Sequence, residues 1–70
     1  MERIAVQSKD LAIVGYDPES QTLEIAFRNG GVYQYSGVPA EVYEALMKAE
    51  SHGTYFNQNI KEKYPAKKIA

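Results

Sequence analysis

The chain has 70 residues, a formal net charge of −1 and no cysteine. This length allows one domain whose small core supplies about 3–5 kcal/mol, and a net charge near zero argues against a generic binder of polyanions. Because cysteine is absent, neither disulfides nor thiolate metal sites can supplement the core. No apolar run has the length of a signal peptide or a membrane span, so we expect a cytoplasmic protein without membrane contact.

Charge is distributed unevenly along the chain. The first sixty residues sum to −4, whereas the last ten sum to +3 because Lys61, Lys63, Lys67 and Lys68 face only Glu62. Lysines near a chain end usually form a solvated surface, which is the simpler interpretation of this segment. The alternative is an electrostatic arm that contacts phosphate groups.

Residues 1–5 are expected to be frayed, because no sustained periodicity extends along them. Ile4 and Val6 alternate and would suit a short edge strand, which is the alternative interpretation of this segment. The rest of the chain, residues 6–69, is predicted to form a single domain.

The first predicted strand is the apolar run LAIVGY, over residues 11–16. Its short length and the turn residues that follow favour a strand over a helix. Asp17 and Pro18 turn the chain, since proline fixes φ and has no N–H group for strand pairing. Gly15, inside the run, predicts either a bulge or a close approach to the backbone.

The strongest structural signal is a β-hairpin over residues 21–36. Apolar residues alternate with polar or small ones in the second predicted strand, residues 21–28, and again in the third, residues 32–36. The turn residues Asn-Gly-Gly lie between these two strands. Two runs of period two around such a turn are typical of a hairpin.

The length of the hairpin loop decides which face Tyr33 and Tyr35 occupy. A two-residue loop places both rings on the face of Glu24, whereas a three-residue loop places them beside Ile25 and Phe27. We favour the three-residue loop, because it gathers the large apolar groups on one face and because glycine can supply the positive φ that it needs.

Two helices are predicted after the hairpin, over residues 39–50 and 54–64. Pro39 suits the first position of a helix, and apolar residues follow it at helical spacing. Gly53 is expected to end the first helix in a left-handed conformation, and Thr54 to cap the second. The predicted fold class is therefore α+β, a three-stranded antiparallel meander with both helices packed on one face.

Residues that support catalysis or metal binding are scarce. The single histidine, His52, lies between a serine and a glycine in a predicted turn. A nucleophile and its base need defined geometry and a third group that orients the base, so adjacency of serine and histidine carries little weight. No histidine or glutamate pair has metal-ligand spacing. We therefore predict a non-enzymatic protein with no metal ion and no cofactor.

Two groups of residues suggest a binding function. Tyr33 and Tyr35 share one strand face, where they form part of the core, a platform that stacks on bases, or a protein interface. The second group lies beside Tyr55, where amides and lysines would hold phosphates, although the polar face of a surface helix looks the same. The candidate nucleic-acid-binding residues are Tyr33, Tyr35, Asn57, Lys61, Lys63, Lys67 and Lys68.

A series of short motifs runs through the chain in a specific order: Gly15-Tyr16-Asp17, Tyr33-Gln34-Tyr35, Val38-Pro39, Ser51-x-Gly53 and Tyr55-Phe56-Asn57. This series resembles the KTSC domain, which occurs at the C-terminus of some lysyl-tRNA synthetases and as a free-standing small bacterial or phage protein. The resemblance covers residues 6–69. It implies no established activity, and the synthetase context suggests RNA binding.

The resemblance draws attention to two polar positions. Asn57 follows two aromatic residues, and its amide is a candidate for a specific hydrogen bond. Members often carry a basic residue between the two tyrosines, whereas this chain has Gln34, which weakens the case for nucleic acid. The leading prediction is a weak RNA- or nucleic-acid-binding module. The alternative is a protein-interaction or homodimerisation module, which the small core and the six tyrosines favour.

Overall fold

An antiparallel sheet of five strands carries two helices on one of its faces. The computed structural model describes residues 1–70. The elements are β1 (Glu2–Ala5), β2 (Leu11–Asp17), β3 (Thr22–Phe27), β4 (Val32–Tyr35), α1 (Ala40–Lys48), α2 (His52–Asn59) and β5 (Ala66–Lys68). The strands lie in the order β1-β2-β3-β4-β5, and every neighbouring pair is antiparallel. The predicted α+β class and the antiparallel sheet are confirmed, but the sheet has five strands rather than three, and the fifth follows the two helices in the chain.

The two additional strands form the edges of the sheet. β1 pairs Ile4 with Val14 of β2, so Glu2–Ala5 form a short edge strand, which was the alternative interpretation of a segment expected to be frayed. β5 pairs Lys68 with Tyr33 of β4, so part of the lysine-rich segment is a strand, although its side chains are exposed. Both edge strands are short and exposed. They are ordered by hydrogen bonds to a neighbouring strand, which a local sequence pattern indicates only weakly.

The hairpin between β3 and β4 has the three-residue loop. The N–H of Phe27 donates to the Gly31 carbonyl at 2.8 Å, and the N–H of Gly30 donates to the Phe27 carbonyl at 3.0 Å. Gly30 has a φ of 106°, a conformation that glycine adopts without strain. The register pairs Tyr33 with Ile25. The prediction that the two tyrosines lie on the apolar side of β3 is therefore confirmed.

A bulge interrupts β2, but not at Gly15. The register shifts between Leu11 and Ile13, so Ala12 is the extra residue. A Cβ at Gly15 would lie 3.1 Å from Cγ of Arg3. The expectation of a close approach to the backbone is therefore the one confirmed at Gly15, since a side chain of β1 crosses it.

The helix α2 begins and ends earlier than predicted. Ser51 is its N-cap, and Oγ of Ser51 accepts from the N–H of Thr54 at 3.3 Å, so Thr54 lies inside the helix. Gly53 also lies inside the helix and does not adopt the left-handed conformation. The helix ends at Asn59 because Ile60 leaves helical geometry and is fully buried.

The hydrophobic core lies between the sheet and the two helices. The helices α1 and α2 contribute Leu46 and Phe56 respectively. The ring of Phe56 meets Phe27 and Tyr35 edge-on, with centroids 5.5 Å and 5.3 Å away. Edge-to-face aromatic contacts are favourable beyond the area that they bury. They fix α2 against the β3–β4 hairpin.

The helix α1 is held against the sheet by Tyr16 of β2. The ring of Tyr16 stacks on that of Tyr43 with centroids 4.7 Å apart and planes 7° apart. Its hydroxyl donates to the Val38 carbonyl at 2.6 Å. Burial raises the pKa of Tyr16, as expected for a hydroxyl that lies in the core.

The other face of the sheet carries no helix, and we call it the open face. Glu24 lies on this face and is only 6% exposed. Nε of Arg3 donates to Oε2 of Glu24 at 2.6 Å, and the amide of Gln34 donates to Oε1 at 3.1 Å. The hydrogen bond from Arg3 lowers the pKa of Glu24, so this carboxylate stays charged.

Candidate functional site

An open groove of about 1030 Å³ lies between α2 and the end of the β3–β4 hairpin, on the face that carries the helices. Phe27 and Tyr33 line it from the sheet. Gly53, Asn57 and Lys61 line it from α2 and the turn that follows. Aromatic packing joins the hairpin to the helix at the base of this groove.

Tyr33 supplies the aromatic surface of the groove. Its ring meets Phe27 edge-on, with centroids 5.7 Å apart and planes at 78°, and this contact orients it. Tyr33 is partly exposed, whereas Tyr35 is only 4% exposed and packs on Phe56. Burial raises the pKa of Tyr35, as expected for a core hydroxyl. Of the two candidate tyrosines, only Tyr33 therefore offers its ring to a ligand.

The groove is rich in positive charge. Its cationic side chains are Lys9, Arg28, Lys61 and Lys68, and Asp10 is the one carboxylate side chain among them. The only ion pair of the chain joins Arg3 to Glu24 on the open face, so no salt bridge neutralises a cation of the groove. Lys68 lies directly across from Tyr33 in the β4–β5 register, which brings a cation beside the ring.

Arg28 has a second role in building the groove wall. Its guanidinium donates to the backbone carbonyls of Ser8 and Val6. Its backbone N–H donates to the Asp10 carbonyl at 2.9 Å. These contacts hold the loop that carries Lys9 against the hairpin.

Asn57 presents a free amide to the groove. Its side chain is exposed and makes no hydrogen bond within the chain. By contrast, Oδ1 of Asn29 accepts from the N–H of Gly31 at 3.3 Å, and the amide of Asn59 donates to the Tyr55 carbonyl at 3.2 Å. An amide group combines a donor and an acceptor, so Asn57 can bind a complementary pair of ligand atoms.

The candidate residues from the sequence fall into two groups. Lys67 pairs with Gln34 on the open face, and Lys63 is exposed in the turn after α2, so neither lines the groove. The residues that the groove brings together are Tyr33, Tyr35, Asn57, Lys61 and Lys68.

Sequence reasoning missed two cations of the groove, Lys9 and Arg28. Arg28 carries a partial signal, because it directly precedes the hairpin turn. Lys9 carries none, because its loop is distant in sequence from both the hairpin and α2. Its position depends on long-range contacts, which periodicity does not encode.

Gln34 does not lie in the groove, so its lack of charge does not affect the charge of the groove. Gln34 lies on the open face, where its amide donates to Glu24. A basic side chain at position 34 would lie over this carboxylate and not beside Tyr33. The lack of charge at Gln34 therefore removes a cation from the open face and not from the groove.

His52 takes part in a structural contact at the α1–α2 junction. Its Nδ1 lies 2.8 Å from the Leu46 carbonyl, which ties the two helices together. No group of three His, Cys, Asp or Glu side chains is placed to hold a metal ion. None of the helices combines the length and the apolar character that crossing a membrane requires.

Known proteins share both the sequence and the fold of this chain. The family model of the KTSC domain matches residues 7–64. A protein of Stutzerimonas stutzeri is 48% identical over 64 residues, which are 91% of this chain and 90% of that protein. The crystal structure of a KTSC domain protein from Yersinia pestis has a TM-score of 0.96 and 42% identity, covering 99% of this chain and 97% of that chain.

A larger protein contains a similar segment. A lysine–tRNA ligase of Nostoc punctiforme is 42% identical over 55 residues, which are 79% of this chain but only 10% of the ligase. The family model, the relatives and the fold agree with the resemblance found in the sequence motifs. The chain belongs to the KTSC domain family.

Proposed function

We propose that this KTSC domain is a non-catalytic module that binds nucleic acid, with RNA as the leading ligand. The observation that carries the proposal is the groove, which Tyr33, Asn57, Lys61 and Lys68 line together. Cations attract phosphate groups, whereas aromatic rings and amides contact bases. A groove that combines all three suits a nucleic acid better than a simple anion.

The charge distribution supports this proposal. The chain as a whole has a net charge of −1, yet the groove has four cationic side chains and one carboxylate side chain. Attraction of a polyanion is therefore concentrated at one surface. A module with so few cations binds weakly, and its affinity depends strongly on salt.

The name of one relative provides an association with tRNA. A protein named lysine–tRNA ligase contains a segment that is 42% identical to this chain. The name connects one member of the family with tRNA. It does not identify a mechanism, so the groove remains the main support.

Titration of a labelled single-stranded RNA with two double variants tests the proposal. Lys61→Ala with Lys68→Ala removes two cations from the groove, and Lys63→Ala with Lys67→Ala removes the same charge elsewhere. Each phosphate contact on a single strand contributes about −0.7 to the slope of log K against log salt. The groove variant should make this negative slope shallower by about 1.4, while the control variant leaves it unchanged.

Two results would reject the proposal. One is a wild-type protein that fails to bind RNA at low salt. The other is an equal loss of affinity in both double variants, which would mean that total charge and not the groove determines binding.

Self-association through the open face is a second candidate function. Ile13 and Ile69 are 38% and 43% exposed. Ala26 and Val32 lie in the same cross-strand row as Ile13, and Ile69 is bonded through its N–H to the Val32 carbonyl. Contiguous apolar surface of this kind is typical of interaction sites.

Sedimentation equilibrium tests this second function. The wild type should form a dimer as its concentration approaches the millimolar range, and Ile13→Thr should shift the equilibrium toward the monomer. A wild type that stays strictly monomeric would rule out self-association.

A further inference from the structure

We infer that the groove selects single-stranded over double-stranded nucleic acid, because it seats one unpaired base against Tyr33 and Asn57. This inference rests on the proposed function and specifies its ligand. In a duplex, the base faces are stacked and the Watson–Crick edges are paired. A ligand must therefore be unpaired to use a ring and an amide together.

The backbone of the hairpin packs closely against one side of the Tyr33 ring at Gly31. A Cβ at Gly31 would lie 3.2 Å from Cε1 and 3.9 Å from Cδ1 of Tyr33. Gly31 is not in the left-handed conformation, in contrast to Gly30. Backbone geometry therefore does not require glycine at position 31, whereas the close packing of the Tyr33 ring against the hairpin favours it. The edge-on contact with Phe27 holds the ring in one orientation, so a base would stack on a preformed surface.

Asn57 provides a contact for the edge of the same base. Its free amide lines the groove that Tyr33 also lines. An amide matches the neighbouring donor and acceptor atoms on a base edge, and such a pair of hydrogen bonds discriminates between ligands. A base that is already paired has no free Watson–Crick edge for this contact.

Two lysines flank the position of the base. Lys68 lies across the sheet from Tyr33, and Lys61 follows Asn57 by four residues, with its N–H bonded to the Phe56 carbonyl at 2.9 Å. Neither lysine forms an ion pair within the chain. Both are therefore free to bind the phosphates on either side of one nucleotide. A duplex can use these lysines but not the ring or the amide.

Fluorescence anisotropy with two probes tests the inference. The probes are a short labelled RNA of unstructured sequence and the same strand annealed to its complement, at one low salt concentration. The wild type should bind the single strand about tenfold more tightly than the duplex. Tyr33→Leu and Asn57→Ala should each weaken single-strand binding by about tenfold and leave duplex binding unchanged.

Matched variants control for effects on folding. Gln58→Ala removes an exposed amide that does not line the groove, so it should bind like the wild type. Tyr33→Phe retains the ring, so it should lose less affinity than Tyr33→Leu. Thermal melting verifies that each variant is folded, and the exposed position of Asn57 lets Asn57→Ala carry the test alone if Tyr33→Leu unfolds.

The outcomes separate the inference from the proposed function. If the wild type binds both probes equally, or if Asn57→Ala binds the single strand like the wild type, the selection of an unpaired base is wrong while nucleic-acid binding stands. If the wild type binds neither probe, both are wrong.

Discussion

The hydroxyl of Tyr16 should contribute a large share of the stability of this small domain. Tyr16→Phe keeps the ring that stacks on Tyr43 but removes the donor to the Val38 carbonyl. Val38 is fully buried, so its carbonyl would be left without a partner. Such a loss costs about 1–3 kcal/mol, against a total of about 3–5 kcal/mol for a core of this size.

Thermal and urea unfolding, followed by circular dichroism, measure this effect. Each kcal/mol should lower Tm by about 4–8 °C in a domain of this length. Tyr43→Phe is the matched control, because the Tyr43 hydroxyl makes no hydrogen bond within the chain, and this variant should change stability by less than about 0.5 kcal/mol. Equal unfolding midpoints for the two variants would refute the role assigned to the Tyr16 hydroxyl.

Three other substitutions test separate parts of the fold by urea unfolding. Ser51→Ala should cost about 1 kcal/mol, because it removes the side-chain cap of α2. Gly30→Ala should cost about 1–2 kcal/mol, because its φ of 106° strains any other residue while no atom lies within 4 Å of the added Cβ. Glu24→Gln should make stability less sensitive to acid. The hydrogen bond from Arg3 holds the pKa of Glu24 below its ordinary value of 4.5, so its contribution is complete above about pH 4.5 and is lost as the pH falls through the lowered pKa.

Each of these results has a clear contrary outcome. Thr54→Ala should affect the cap less than Ser51→Ala, and the reverse order would move the start of α2. A neutral Gly30→Ala would mean that the hairpin loop has a different geometry. If the wild type and Glu24→Gln lose equal stability between pH 7 and pH 3, the lowered pKa of Glu24 is wrong.

The centre of the sheet could be predicted because its signals are local. The Asn-Gly-Gly turn and the alternating strands around it define the hairpin, and glycine at position 30 supplies the left-handed residue that a three-residue loop needs. The same loop then determines that Tyr33 pairs with Ile25. Local chemistry was sufficient for this part of the fold.

The edges of the fold could not be predicted in the same way. β1 and β5 are ordered by pairing with β2 and β4, and their own residues are exposed. The start of α2 was ambiguous because Ser51 and Thr54 are both suitable caps. Gly53, in the first turn of α2, also makes a long-range contact. A Cβ there would lie 3.0 Å from Oδ2 of Asp10, a residue more than forty positions away.

The candidate site could be predicted only in part, because its residues come from segments that are distant in the sequence. Tyr33, Asn57, Lys61 and Lys68 were identified from residue type and from motifs. Their arrangement around one groove required the tertiary structure, as did the exclusion of Lys63 and Lys67. Sequence alone therefore indicated the chemistry of the site better than its shape.

Mapping the binding surface by NMR is the most direct test of the central claim that the groove is the nucleic-acid site. A labelled protein of 70 residues is titrated with single-stranded RNA while the backbone amide shifts are followed. Saturable shifts should cluster in residues 29–33, 53–61 and 66–70, and the amides of Arg3, Glu24 and Gln34 on the open face should not move. Shifts confined to the open face, or the absence of saturable shifts, would contradict the claim.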